Sequence, residues 1–280
     1  MSVIEAVAAG LAAVRSACSP LALLNLLVPR SAFVVHRGIA FGADPCQRLD
    51  VYVPRALAGP TAVLLFFHGG GWQGGRRGDY LAFGQVFASA GIVTVVADYR
   101  LYPQVKYPAF VADAAAALAW LHAHAADYGG DPARLFVSGH SAGAYNAVML
   151  ASEPAFLEVQ GGKLSWIRGV IGIAGPYDFL PMEQKEYVDI FHGRNNLDSM
   201  PVNHVTGARP PMLLVTGSRD RTVSPRNTKS MAARLRAFGS AVAEIHYAGI
   251  GHVGILLSLL PGFRRLTSLR QDMLDFIHSR

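Results

Sequence analysis

The chain has 280 residues, 51% of them hydrophobic and 16% charged; that is long and apolar enough for a sizeable core, and it excludes a disordered or fibrous polymer. Net charge is +6 and the pI about 9.5, yet the basic residues are scattered, densest at Arg76 and Arg77, Arg219 and Arg221, and Arg264 and Arg265. No basic helix or aromatic-interleaved stripe forms, so a nucleic-acid partner is not expected, and the charge is compatible with no more than weak contact with a membrane surface.

Residues 1–30 read as two short apolar helices separated by Ser19 and Pro20. The first basic residue, Arg15, follows the apolar run instead of preceding it, which is the wrong order for a secretory signal; a cytoplasmic location is the expectation. Three roles are open to these helices: to cap a site on the domain that follows, residues 31–280, to dock elsewhere on its core, or to touch a membrane. No run of about 18 apolar residues lacks a charge or a breaker, so no membrane-spanning segment is expected. Cys18 and Cys46 have neither metal-ligand spacing nor a CxxC pattern.

After residue 30, short aliphatic runs alternate with longer Ala-rich segments. Residues 33–39 and 48–53 predict an antiparallel strand pair with its turn near 42–45. Residues 62–67 and 92–97 are continuously apolar, as strands covered on both faces should be. Further strands are predicted at 134–138, 168–174, 212–216 and 241–247. Helices are predicted at 79–90, 109–125, 142–152, 225–238 (with Ser224 as N-cap) and 266–278. This alternation means a mostly parallel, doubly wound eight-stranded sheet with helices on both faces, in which ligands bind at the carboxyl ends of the strands. Residues 176–206 fit neither period, and are read as a short cap insertion over the site.

Three of the post-strand loops carry reactive groups. Gly139-His140-Ser141-Ala142-Gly143 stands between a strand and an Ala-rich helix. GxSxG alone is a weak signal, but a strand-to-helix turn is where a strained serine is exposed at a helix N-terminus, with glycines where the turn packs too closely for side chains. His68-Gly69-Gly70-Gly71-Trp72 follows the strand at 62–67. Its glycines let backbone N–H groups approach a developing oxyanion, and the N–H groups of Gly70, Gly71 and Ala142 are assigned to that hole. The Lys-Ser/Thr of a phosphate loop is missing: Trp72-Gln73 stands there. His68 is expected to brace the loop. The third feature is an acid and a base in the order nucleophile, acid, histidine. Asp220 follows the strand at 212–216, and His252 lies just past the last strand. Asp178 is the alternative acid. Trp72, Tyr177, Phe179 and His140 are the expected substrate-binding residues, with Tyr187 and Phe191 adding to an aromatic insertion.

These motifs resemble the α/β-hydrolase superfamily. HGGGW with GHSAG is similar to the hormone-sensitive-lipase-like and bacterial carboxylesterase branch, as are Asp98-Tyr99-Arg100-Leu101, Gly130-Asp131-Pro132, and Gly217-Ser218-Arg219-Asp220 paired with Gly251-His252. The resemblance covers residues 33–278 and extends to arylformamidases and prenylcysteine methylesterase-like proteins. It implies a carboxylester hydrolase of small-molecule esters with a Ser141–His252–Asp220 triad and no cofactor or metal; the shortness of the 176–206 insertion adds the expectation of an accessible site and short-to-medium acyl groups. His140 departs from the Asp or Glu that many lipase-like members carry before the nucleophile, which bears on acyl preference and not on the triad. The alternatives are an amidase or arylformamidase using the same triad, and a non-catalytic small-molecule receptor on the same fold. Oligomeric state is not legible.

Overall fold

Alternation of buried side chains organises the sheet. In the computed structural model, which describes residues 31–280, strand β3 (Thr61–Phe67) is buried from Ala62 onward. Val63, Leu65 and Phe67 enter one hydrophobic cluster, while Ala62, Leu64 and Phe66 enter another on the opposite face. That two-sided burial is why the run is continuously apolar instead of alternating. The expected N-terminal segment, residues 1–30, lies outside the described residues.

The eight strands run in the order β1-β2-β4-β3-β5-β6-β7-β8. β1 (Phe33–Ala40) and β2 (Arg48–Pro54) form the expected antiparallel pair. β2 is antiparallel to β4 (Val93–Ala97), and every later pairing is parallel. β5 (Gly130–His140), β6 (Ile167–Ile173), β7 (Met212–Gly217) and β8 (Val242–Tyr247) complete the sheet. Helices α1 (Leu81–Ala88), α2 (Ala109–His124), α3 (Ala142–Ser152), α4 (Ala155–Glu158), α5 (Lys185–Ile190), α6 (Arg226–Ala237), α7 (Gly254–Leu257) and α8 (Leu269–His278) alternate with the strands. Buried residues of α2, α3 and α6 join the first cluster, and those of α1, α7 and α8 the second. This is the α/β-hydrolase fold.

Three helix starts differ from expectation, the last being α8, which begins at Leu269 and not at 266. The chain enters α1 through a 3-10 turn at Arg77–Tyr80, which buries Asp79 and Tyr80. α6 begins at Arg226, whose N–H donates to the Ser224 hydroxyl over a long 3.4 Å. The helical stretch Ala109–Tyr128 is long and apolar enough to cross a bilayer by composition. Here it packs on the sheet through Phe110, Val111, Ala114 and Leu118, and Asp113 on it binds Arg100.

The 176–206 insertion contains α5 and two 3-10 turns, Leu197–Ser199 and Pro201–His204. Side chains from the main domain fasten it. Tyr145 donates to the Ser199 carbonyl at 2.7 Å, Tyr107 to that of Asp198 at 2.7 Å, and Tyr102 to the Asp189 carboxylate at 2.7 Å. These three hydrogen bonds tie the insertion to the main domain.

Candidate active site

The site sits where β3 and β5, parallel neighbours, end side by side, with Phe67 paired to Gly139. Between β5 and α3 the backbone turns through Ser141 at φ 55° and ψ −121°. A non-glycine residue there is strained by about 1–3 kcal/mol and needs surroundings that enforce it. The glycines supply the room. A Cβ on Gly139 would lie 2.2 Å from the Gly143 carbonyl, and one on Gly143 would lie 2.1 Å from the Phe67 oxygen. Ser141 therefore stands at the N-terminus of an eleven-residue helix, whose first N–H groups are free of intrahelical partners.

Across the gap, the glycine loop turns through Gly70 at φ 134°, Gly71 at φ 60° and Trp72 at φ 59°. Its turn is closed by the N–H groups of Gln73 and Gly74 donating to the Gly70 carbonyl. The N–H groups of Gly70, Gly71 and Ala142 have no acceptor among the described residues. His68 braces the loop. Its Nδ1 bonds the Gly69 carbonyl at 2.9 Å, its ring stacks on Tyr99 at 4.4 Å, and the Tyr99 hydroxyl donates to the His68 carbonyl at 2.8 Å. Burial holds the His68 imidazole below its ordinary pKa. Asp98 beneath it accepts from Arg77 through both backbone and guanidinium. The Asp98-Tyr99 run thus acts as the loop's foundation.

Asp220 and His252 come together from the loops after β7 and β8. His252 Nδ1 donates to Asp220 Oδ2 at 2.7 Å. Asp220 Oδ1 accepts the N–H groups of Thr222 and Val223, both at 2.9 Å. Burial pushes the Asp220 carboxyl up, but bonds from His252, Val223 and Thr222 outweigh it and hold the group below the usual carboxylate range. With Nδ1 committed, Nε2 of His252 is left as the basic nitrogen. Among the described residues no hydrogen bond joins His252 to the Ser141 hydroxyl, although both residues line one cavity. Such bonds are often long in unliganded sites. Asp178, the alternative acid, instead accepts from Ser230.

That cavity has a volume of about 1300 Å³ and is lined by the glycine loop, Ser141, Ala142, His252 and Phe179. Trp72 touches it but is only 3% exposed; its indole N–H donates to Asn146 at 3.2 Å, and Phe191 stands edge-on to it at 4.8 Å. Tyr177 does not line the cavity, contrary to expectation: it is fully buried, tucked against Gly172 and Gly175. Its place on the wall is held by Tyr187, which meets Trp72 edge-on at 6.0 Å. His140 is 5% exposed and directs Nε2 at the His252 carbonyl. Among the described residues no group of three or more His, Cys, Asp and Glu side chains gathers as a metal site would need.

Comparison with known proteins follows this geometry. The family model described as BD-FAE matches residues 49–235. The chain belongs to the BD-FAE family. This BD-FAE chain is 29% identical over 268 residues to isoprenylcysteine alpha-carbonyl methylesterase ICME of Arabidopsis thaliana, covering 88% of this chain and 62% of that protein. It is 31% identical over 242 residues to esterase LipC of Mycobacterium tuberculosis, covering 79% and 60% respectively. The chain therefore spans less than two thirds of the length of either relative. In structure it matches a truncated carbohydrate esterase from gut microbiota with a TM-score of 0.78 at 17% identity, covering 90% of this chain and 98% of that one. Esterase B from Lactobacillus Rhamnosis gives 0.78 at 20% identity over 98% and 95%. These likenesses establish the α/β-hydrolase fold of this BD-FAE member.

The sequence reading missed Tyr80 and Asn227 as site residues. The Tyr80 hydroxyl accepts from the Gly69 N–H at 3.1 Å, and Asn227 Oδ1 accepts the N–H groups of Tyr177 and Asp178 at 2.9 and 2.8 Å. No motif marks either, since each acts on backbone brought near only by folding.

Proposed function

We propose that the chain is a serine carboxylesterase acting through an acyl-enzyme, with Ser141 as nucleophile, His252 as base and Asp220 as its orienting acid. The reading is carried by the 2.7 Å His252–Asp220 bond in the same cavity as the strained Ser141. His252 Nε2 takes the serine proton as the hydroxyl attacks the ester carbonyl, and Asp220 stabilises the imidazolium. The oxyanion is received by the N–H groups of Gly70, Gly71 and Ala142. The alcohol leaves with the proton from His252, and water then repeats the cycle to free the acid.

Short-to-medium acyl groups are the proposed substrates. The cavity walls carry Asp178, Glu183, Arg226 and Asn227 beside Phe179, Met182 and Tyr187. Burying a long alkyl chain against a wall that carries these polar and charged side chains is unfavourable. Esters are the substrate class that the names of the relatives, a methylesterase and an esterase, also carry. The test is a panel of nitrophenyl esters of graded chain length, each with its matched amide. Turnover highest on acetate-to-hexanoate esters, well above the amides, is the expected result. Preference for long-chain esters overturns the chain-length proposal, and preference for the amides overturns the esterase reading.

A further inference from the structure

His140 is a buried histidine inside the site for which the mechanism above has no use. It occupies the last position of β5, one residue before the nucleophile. At 5% exposure it offers a substrate little surface. Its polar atoms point to the loops on either side of Ser141. Nε2 lies 3.1 Å from the His252 carbonyl oxygen, and Nδ1 lies 3.0 Å from where a Cβ of Gly69 would stand. The ring centre is 4.6 Å from that of His252.

The tautomer follows from the partner. A carbonyl oxygen only accepts, so Nε2 carries the proton and Nδ1 the lone pair. Nδ1 has no hydrogen-bond partner among the described residues. Burial and the neighbouring His252 push the His140 pKa down to about 3, so the ring stays neutral beside the base. Other bonds hold the base loop at its ends: the Arg219 N–H donates to the Ile250 carbonyl at 2.9 Å, and the Gly249 N–H to the Ser218 hydroxyl at 2.9 Å. Among the described residues, His140 is the donor that reaches the carbonyl of His252 itself.

We propose that His140 is a positioning residue that clamps the His252 loop to the strand bearing the nucleophile, and so sets the placement of the imidazole relative to Ser141. The clamp makes both depend on one rigid strand end, so that relaxation of the loop after β8 does not carry the base away from the hydroxyl. The inference rests on reading Ser141 and His252 as nucleophile and base. It replaces the expectation that His140 binds substrate.

Three variants test it: His140→Gln, whose amide nitrogen reaches about as far as Nε2, His140→Asn, which is polar but too short, and His140→Phe, which fills the space without a donor. Turnover of nitrophenyl butyrate, thermal midpoint, and hydrogen exchange of the amides at 249–256 are measured for each. For Asn and Phe, kcat is expected to fall about 10- to 100-fold, the scale of a small misplacement of a catalytic group, with KM within about 2-fold. Exchange at 249–256 is expected to rise about 5- to 10-fold, the loss of one hydrogen bond, without a like change in the central strands. Gln is expected to recover most of both losses. A rise in KM with unchanged kcat restores the substrate-binding role and overturns the clamp. Equal losses in Gln, Asn and Phe that follow their thermal midpoints make His140 a packing residue and overturn it as well. The exchange readout needs no activity, so absent esterase turnover in the wild type defeats the esterase reading while the exchange pattern still decides the clamp.

Discussion

The turn around Ser141 and the aromatic insertion at 176–206 build the same cavity by opposite means. At the turn, backbone carries the chemistry: Ser141 sits at a positive φ, and the glycines leave no room for a single added carbon. In the insertion, side chains do the work, and near-identical residues take different fates. Tyr177 is fully buried under the wall, while Tyr187 forms part of it. Sterically enforced backbone turns leave glycines in sequence at fixed places, whereas packing of interchangeable aromatics leaves only a composition.

The largest expected effect that sharpens this contrast is at the acid. Asp220→Asn keeps the shape but removes the charge that fixes the His252 tautomer, and kcat is expected to fall about 10⁴-fold with little change in KM. Steady-state kinetics on a short nitrophenyl ester measures it; a loss under tenfold breaks the assignment of Asp220. Next is Gly143→Ala. Its Cβ would meet the Phe67 and His68 oxygens at 2.1 and 2.5 Å, forcing the glycine loop and α3 apart. The loss of one oxyanion donor's geometry is worth about 10²- to 10³-fold in kcat. An active, correctly folded alanine variant shows that the turn has slack.

The insertion is expected to respond differently. Tyr177→Ala empties a core site and costs about 3–5 kcal/mol of stability by denaturant titration. Tyr187→Ala acts mainly on KM, by about 5-fold, since it trims a partly exposed wall. If the two variants exchange signatures, the division of the aromatics into floor and wall fails.

The smallest effect is a slope with pH. Buried, neutral His140 and His68 both have folded pKa values below that of a free imidazole. Below about pH 6.5 the unfolded chain takes up protons that the folded chain refuses, so stability falls as pH drops from there towards about 3. Asp220, facing His252, has a lowered carboxyl pKa and adds its own loss only below the ordinary carboxylate range. His140 contributes up to about 1.4 kcal/mol per pH unit across that window, and His68 acts in the same direction. His140→Gln should flatten the curve by about that slope in denaturant titrations from pH 7 to 4. An unchanged slope contradicts the buried neutral state of His140.

Much of the fold was legible. Continuous apolar runs marked the central strands, and the Ala-rich helix after the nucleophile begins and ends where composition placed it, at Ala142 and Ser152. The entry to α1 was misjudged because a 3-10 turn and a helix share the same local residues, while the contact of Tyr80 with Gly69 forms only on folding. Ser141, Asp220 and His252 stand out in the sequence because each follows a strand in the order that the fold fixes, and folding brings the last two into hydrogen-bond contact. The burial of Tyr177 was not legible, since a tyrosine beside a site reads the same whether it faces a cavity or packs beneath its wall.

The nucleophile is the claim on which the account stands, and a fluorophosphonate probe tests it most directly. After reaction with the intact protein, peptide mapping is predicted to find one phosphonyl adduct on Ser141, absent from Ser141→Ala and strongly slowed in His252→Ala. An adduct on another serine such as Ser138, or labelling that persists in Ser141→Ala, contradicts the account.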